Sequence, residues 1–181
     1  MTLIIVIAIV AILVLWVISV QNRLVKSDEL CNNALKQINV QQVSRYDALQ
    51  ALVKLTREYA SFEADTIQKI IAERKIADGG VPSVADINAN EAVLGNALGR
   101  LIAVAEQYPD LKASANYKEA MAAIRGYEEN VRLSRMTFND TVTRYNNKVR
   151  MFPGSLVAGL LGFGRREYLA DDNSKKDYPQ I

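Results

Sequence analysis

The chain has no histidine and one cysteine, Cys31, among its 181 residues. Without imidazole there can be no His-Glu-x-x-His zinc site, no Ser-His-Asp triad and no Glu-x-x-His di-iron bundle. A lone thiol cannot build a thiolate metal cluster or close an internal disulfide, which agrees with a reducing compartment. No cationic cluster flanks Cys31 in sequence, so it reads as a small apolar residue on a packed helix face rather than a reactive nucleophile. No glycine-rich phosphate loop is present either. The chain has only four prolines, nine glycines and few aromatics, a composition that favours helix over sheet. Lys and Arg number 22 against 20 Asp and Glu, both signs interspersed, and no basic tract marks a nucleic-acid partner.

What is present is a long uncharged run from Thr2 to Val20. As an α-helix it spans about 28 Å, close to the ~30 Å hydrocarbon thickness of a bilayer. It is apolar on every side, which excludes a helix lying flat on a surface. A cleaved signal peptide calls for a basic amino-terminal region and a small-residue cleavage site. Met1 alone precedes the run and no such site follows, so residues 1–20 are expected to be a retained transmembrane anchor. Arg23, Lys26 and Lys36 follow the run and no basic residue precedes it. The positive-inside rule then predicts an outer amino terminus and a cytoplasmic remainder.

The rest of the chain is expected to divide into a helical domain at 21–153, a short apolar segment at 154–166 and a polar, disordered tail at 167–181. Apolar residues at helical spacing predict that the anchor helix continues to about Val43, with a turn at Arg45-Tyr46-Asp47. A second helix carries Leu49, Leu52, Val53, Thr56, Tyr59, Ala60, Glu63, Ile67, Ile70 and Ile71 on one face and stops at Asp78-Gly79-Gly80-Val81-Pro82. Ser83 with Asp86, or Asn88 with Glu91, can cap the third helix, which ends at Tyr108-Pro109-Asp110. Gly95 and Gly99 lie within it, where close approach of a neighbouring helix would compensate the cost of two interior glycines. The fourth helix begins between Lys112 and Asn116, with Asn116 and Glu119 as a capping box. It shows alternating steps of four and three: Tyr117, Met121, Ile124, Glu128, Val131, Arg135, Phe138, Val142, Tyr145, Val149 and Phe152. The expected fold is all-α: one transmembrane helix followed by an antiparallel up-and-down four-helix bundle.

The chain resembles the LemA family between about Leu24 and Phe163. The residues that carry the resemblance include Asn33-Ala34, Gln37-Ile38-Asn39-Val40-Gln41, Arg45-Tyr46-Asp47, the run Ala97 to Ala113, Glu128-Glu129-Asn130, Phe138-Asn139-Asp140, Phe152-Pro153 and Gly162-Phe163. The resemblance implies a bacterial inner-membrane protein with one amino-terminal span, a cytoplasmic four-helix domain, no established catalytic activity and no cofactor. The chain departs from the family at Ala48-Leu49-Gln50-Ala51, where a proline is usual, and at Phe62 before Glu63, where a histidine is usual.

Glu63, Arg100, Glu106, Glu128 and Arg135 are the charges expected to face inward, with Tyr46, Tyr108, Asn130, Asn139 and Asn146 completing their hydrogen bonds. They read as a structural polar layer that sets helix register. The competing reading is a catalytic or metal-binding carboxylate cluster. Leu156, Leu160, Leu161 and Phe163, with Arg165 and Arg166, are expected near the membrane surface, or else folded back on protein. The first functional reading is a non-enzymatic, membrane-anchored scaffold that associates with itself. The alternatives are a carboxylate-based enzyme and a regulatory partner of another membrane protein, such as a protease or sensor.

Overall fold

A computed structural model describes residues 1–73 and 80–170. It contains α1 (Thr2–Arg57), α2 (Ser61–Ala72), α3 (Val84–Gln107), α4 (Pro109–Ala113), α5 (Ala115–Arg150) and α6 (Gly154–Leu161). No strand occurs among the described residues. The all-α class is therefore as expected. The proposed stop of the second helix at Asp78-Gly79 and the tail from Asp171 lie outside the described residues.

The first helix overturns the expected turn at Arg45-Tyr46-Asp47. It runs unbroken for 56 residues. The chain has no glycine or proline before Gly79, so nothing local stops it. A buried seam also continues straight through the supposed turn: Leu35, Ile38, Gln42, Arg45, Leu49, Leu52 and Thr56. Its steps of three and four keep one face inward for over three heptads. The actual break falls at Glu58–Ala60, after which α2 buries Ala64, Ile67 and Ile71. The single second helix read from sequence is thus split between α1 and α2.

Other termini follow their local chemistry. Ser83 caps α3: its Oγ accepts from the Asp86 amide at 3.0 Å, and Asp86 Oδ2 accepts from the Ser83 amide at 3.3 Å. Asn88 and Glu91 are inside α3 and cap nothing. Pro109 starts the short α4, suited to a first-turn position where no amide bond is needed. Ser114, not Asn116, supplies the capping oxygen for α5, accepting from the Tyr117 amide at 3.2 Å. The seam expected on the fourth helix holds from Tyr117 to Val149 but not at exposed Phe152, because α5 ends at Arg150.

The described residues form two compact units: residues 1–34 with 137–168, and residues 35–136 with Leu169 and Ala170. In the second unit one hydrophobic core takes Leu49, Leu52 and Val53 from α1, Ala64, Ile67 and Ile71 from α2, Leu94, Ala97, Leu98 and Leu101 from α3, and Tyr117 and Ile124 from α5. Leu169 is also buried, which corrects the reading of a disordered tail from residue 167. Gly95 and Gly99 are exposed, and a methyl group added at either would meet nothing within 4 Å. They do not mark a close helix crossing.

In the first unit, Leu24, Val157 and Ala158 form a small core, with Val17, Val20, Val149 and Phe163 packed against it. The α5-to-α6 corner turns at Gly154, where an added Cβ would collide with the carbonyl oxygen of Lys148. Gly162 ends α6 at φ +76°, the left-handed conformation that favours glycine. The apolar run of α1 is long and hydrophobic enough to cross a membrane, and none of that window is buried within the protein.

Candidate functional site

The polar groups gather in two places, one in each unit. The first centres on Arg45, placed on α1 by the seam and only 2% exposed. Its Nη1 donates to Glu91 Oε1 on α3, and its Nη2 donates to Glu128 Oε1 on α5 at 2.8 Å. Gln42, one turn earlier, donates from Nε2 to Glu91 Oε2 at 3.2 Å and to the Ile87 carbonyl at 3.0 Å. One cation thus ties three helices together, and both carboxylates keep a solvent-facing edge, at 33% and 37% exposure. Arg135, two turns beyond Glu128, donates from Nη2 to Asn88 Oδ1 at 3.3 Å and to the Ala170 carbonyl at 2.6 Å.

Of the residues expected to form an inward polar layer, Glu128 and Arg135 take part. Asn139 is half-buried, and its backbone carbonyl accepts from the Thr143 hydroxyl at 2.9 Å. Glu63 is half-buried in the first turn of α2, where its charge favours the helix dipole. Arg100, Glu106 and Asn130 are corrections: all three are exposed, and Arg100 bonds Asn96 on its own helix at 3.2 Å. They lie off the buried stripes of α3 and α5, which run through Leu94, Ala97, Leu101 and Ala105 and through Ile124 and Val131. The sequence pattern puts the central residue, Arg45, in a turn and Glu91 in a cap, whereas both lie inside helices. The signal that reveals Arg45 is its place in the seven-residue repeat with Ile38 and Leu52.

The second gathering fastens the chain after α6. Arg166 donates from Nε to Asp28 Oδ1 at 2.6 Å and from Nη2 to Asn32 Oδ1 at 2.7 Å. Its backbone is held on both sides by Asn146, whose Oδ1 accepts from the Arg166 amide at 2.9 Å and whose Nδ2 donates to the Arg166 carbonyl at 3.0 Å. Tyr145 donates its hydroxyl to the Gly164 carbonyl at 3.0 Å, and the guanidinium lies 5.8 Å from the Tyr145 ring centroid. The hydrogen bond to Asp28 raises the Arg166 pKa further above its ordinary value. Burial raises the neighbouring Cys31 thiol, and burial raises the Tyr145 hydroxyl. All three groups therefore stay protonated near neutrality. Arg166, expected to be available to lipid, is instead committed to this clasp, whereas Arg165 is exposed.

Chemically, the first site is a shared ion pair, two carboxylates on one guanidinium, an arrangement that cross-links three helices. The second is a clasp around a buried, protonated thiol. Among the described residues no group of three or more Cys, Asp or Glu is placed to hold a metal ion.

These features define an all-helical protein with one candidate membrane span and polar cross-links that hold its helices in register. Residues 34–181 match the LemA family. The chain belongs to that family. It is 30% identical over 142 residues to magnetosome protein MamQ of Magnetospirillum gryphiswaldense, covering 65% of this chain and 52% of that protein. It is 33% identical over 106 residues to magnetosome protein MamQ 2 of Paramagnetospirillum magneticum, covering 55% of this chain and 39% of that protein. It is 27% identical over 142 residues to protein LemA of Metamycoplasma hominis, covering 78% and 64%. The chain thus spans less than two thirds of the length of each of these relatives.

Proposed function

We propose that this protein is a non-enzymatic, membrane-anchored interaction module of the bacterial inner membrane. Residues 2–20 cross the bilayer with the amino terminus outside. The cytoplasmic part is an antiparallel four-helix bundle made from the distal half of α1 with α2, α3 and α5. The observation that carries this reading is the continuity of α1. The same helix that bears the apolar run bears the seam from Leu35 to Thr56, with no flexible linker between them. Such continuity suits a scaffold that is anchored through one of its own core helices. The relatives' names support the reading, since they refer to the magnetosome and not to a reaction.

The orientation is supported by Lys148, Arg150 and Arg165, which lie in the same compact unit as Arg23 and Lys26 and add to the basic charge beyond the span. The enzyme alternative is disfavoured by Arg45, which engages both Glu91 and Glu128 in ion pairs. Regulation of another membrane protein, and association with further copies of the chain, remain forms that such a scaffold can take.

Topology is tested with single cysteines in a Cys31→Ser background, one at Thr2 and one at exposed Met136, probed with a membrane-impermeant maleimide on intact spheroplasts. Labelling at residue 2 alone is expected. Labelling at residue 136 would overturn the orientation. Photo-cross-linking from Leu133 and Met136 in native membranes then identifies what the module holds.

A further inference from the structure

α6 has two unlike sides. Val157 and Ala158 are buried against Leu24, Val17 and Val20 of α1. Leu156 and Leu160 are 58% and 83% exposed, and Phe152, just before the helix, is 78% exposed. Large apolar side chains so open to water mark a surface that is covered by something. The level of α6 along α1 identifies the cover. Val17 and Val20 belong to the last turn of the apolar run, and Val17 to Leu24 is about 10 Å of helix axis. A bilayer that encloses residues 2–20 has its headgroup boundary at that height. Arg23, Lys26, Arg144, Lys148, Arg150 and Arg165 are exposed in the same compact unit, against the exposed acids Glu29, Asp140 and Glu167, and Asp28 is already paired with Arg166. The local balance is basic, which suits anionic headgroups.

We propose that α6 is an interfacial helix, with Leu156, Leu160 and Phe152 seated among the headgroups and upper acyl chains of the bilayer that α1 crosses, and with Arg150 and Arg165 meeting anionic lipid. Its eight residues are too few to span, so it lies at the surface. Its inner face grips the end of the span while its outer face rests on lipid. The helix thereby acts as a foot that limits tilting of α1 at its exit from the membrane. This rests on the reading that α1 spans.

The full chain is reconstituted in phosphatidylcholine–phosphatidylglycerol vesicles with bromine-labelled acyl chains. The natural Trp16 reports the span. In a Trp16→Phe background, Leu160→Trp reports α6, Leu156→Trp provides a second position, and exposed Met136→Trp serves as the aqueous control. The expected result is blue-shifted emission at residues 156 and 160, with strongest quenching by shallow bromines and none at residue 136. Adding Arg150→Gln and Arg165→Gln is expected to weaken that quenching in vesicles rich in phosphatidylglycerol. Water-like, unquenched emission at 156 and 160 while Trp16 is quenched would overturn the proposal and leave the span standing. Blue-shifted but unquenched emission would also overturn it, because protein rather than lipid would then cover the helix. If Trp16 itself is not quenched, the spanning reading fails and the foot fails with it.

Discussion

Arg45 offers the sharpest test of how the helical core is held. Its guanidinium is 2% exposed, whereas its partners Glu91 and Glu128 are about one-third exposed. The two sides of the same interaction should therefore have unequal costs. In Glu91→Gln/Glu128→Gln the cation stays buried and loses both counter-charges. Breaking a buried pair in this way costs about 3–5 kcal/mol. In Arg45→Met the buried charge is removed and replaced by an apolar side chain that can follow the same path. The freed carboxylates turn to water, and the net cost should be about 1–2 kcal/mol. For a chain of this size 1 kcal/mol corresponds to about 2–4 °C in unfolding midpoint. The double glutamine variant should thus fall by about 6–20 °C and Arg45→Met by about 2–8 °C. Adding Arg45→Met to the double variant should recover much of the loss, since no unpaired cation remains. The measurement is loss of helical ellipticity on heating, at one scan rate, with the full chain in lipid nanodiscs. If Arg45→Met proves more damaging than the double glutamine variant, or if the triple variant shows no recovery, the argument from burial asymmetry is wrong.

Cys31 should resist maleimide in the folded protein, because it is buried and its thiol is held protonated; Arg166→Gln, which opens the clasp at Asp28 and Asn32, should speed its labelling. A raised thiol pKa means that the folded state binds more protons than the unfolded state across the thiol range, so this group's contribution to stability is present below that range and is lost as pH rises through it, a trend that Cys31→Ala should flatten in pH-resolved melting curves. Gly154→Ala should cost about 1–3 kcal/mol because its Cβ meets the Lys148 carbonyl, whereas Gly95→Ala and Gly99→Ala should each stabilise by up to about 1 kcal/mol at positions with open space, as read by denaturant midpoints. Glu106→Gln, Arg100→Gln and Asn130→Ala, all exposed, should shift stability by no more than about 0.5 kcal/mol in the same measurement.

Much of this protein is legible from local chemistry. The run from Thr2 to Val20 declares itself because nineteen uncharged residues suit a bilayer and little else. Ser83 with Asp86, Pro109 and Gly154 mark helix boundaries, since a cap, a missing amide and a missing Cβ act over only a few residues. The periodicity of α5 from Tyr117 to Val149 shows its inner face without any knowledge of what lies opposite.

Burial of charge is different, because it depends on partners far along the chain. Arg45 meets Glu91 and Glu128, which are 46 and 83 residues away, and Arg166 meets Asp28 at a separation of 138. The repeat with Ile38 and Leu52 puts Arg45 on the inner face of α1, but no local pattern names its partners or sets Arg166 apart from a lipid-facing residue. A cation can occupy a core position only where carboxylates are brought to it, and that pairing exists only once the helices have packed. For the same reason sequence alone does not separate Arg100, Glu106 and Asn130, which are exposed, from the polar groups that are buried. Sequence by itself determined the apolar run, the helical class and the family. Tertiary structure alone decided which charges are inside, because desolvating a charge is tolerable only where the fold supplies its partner.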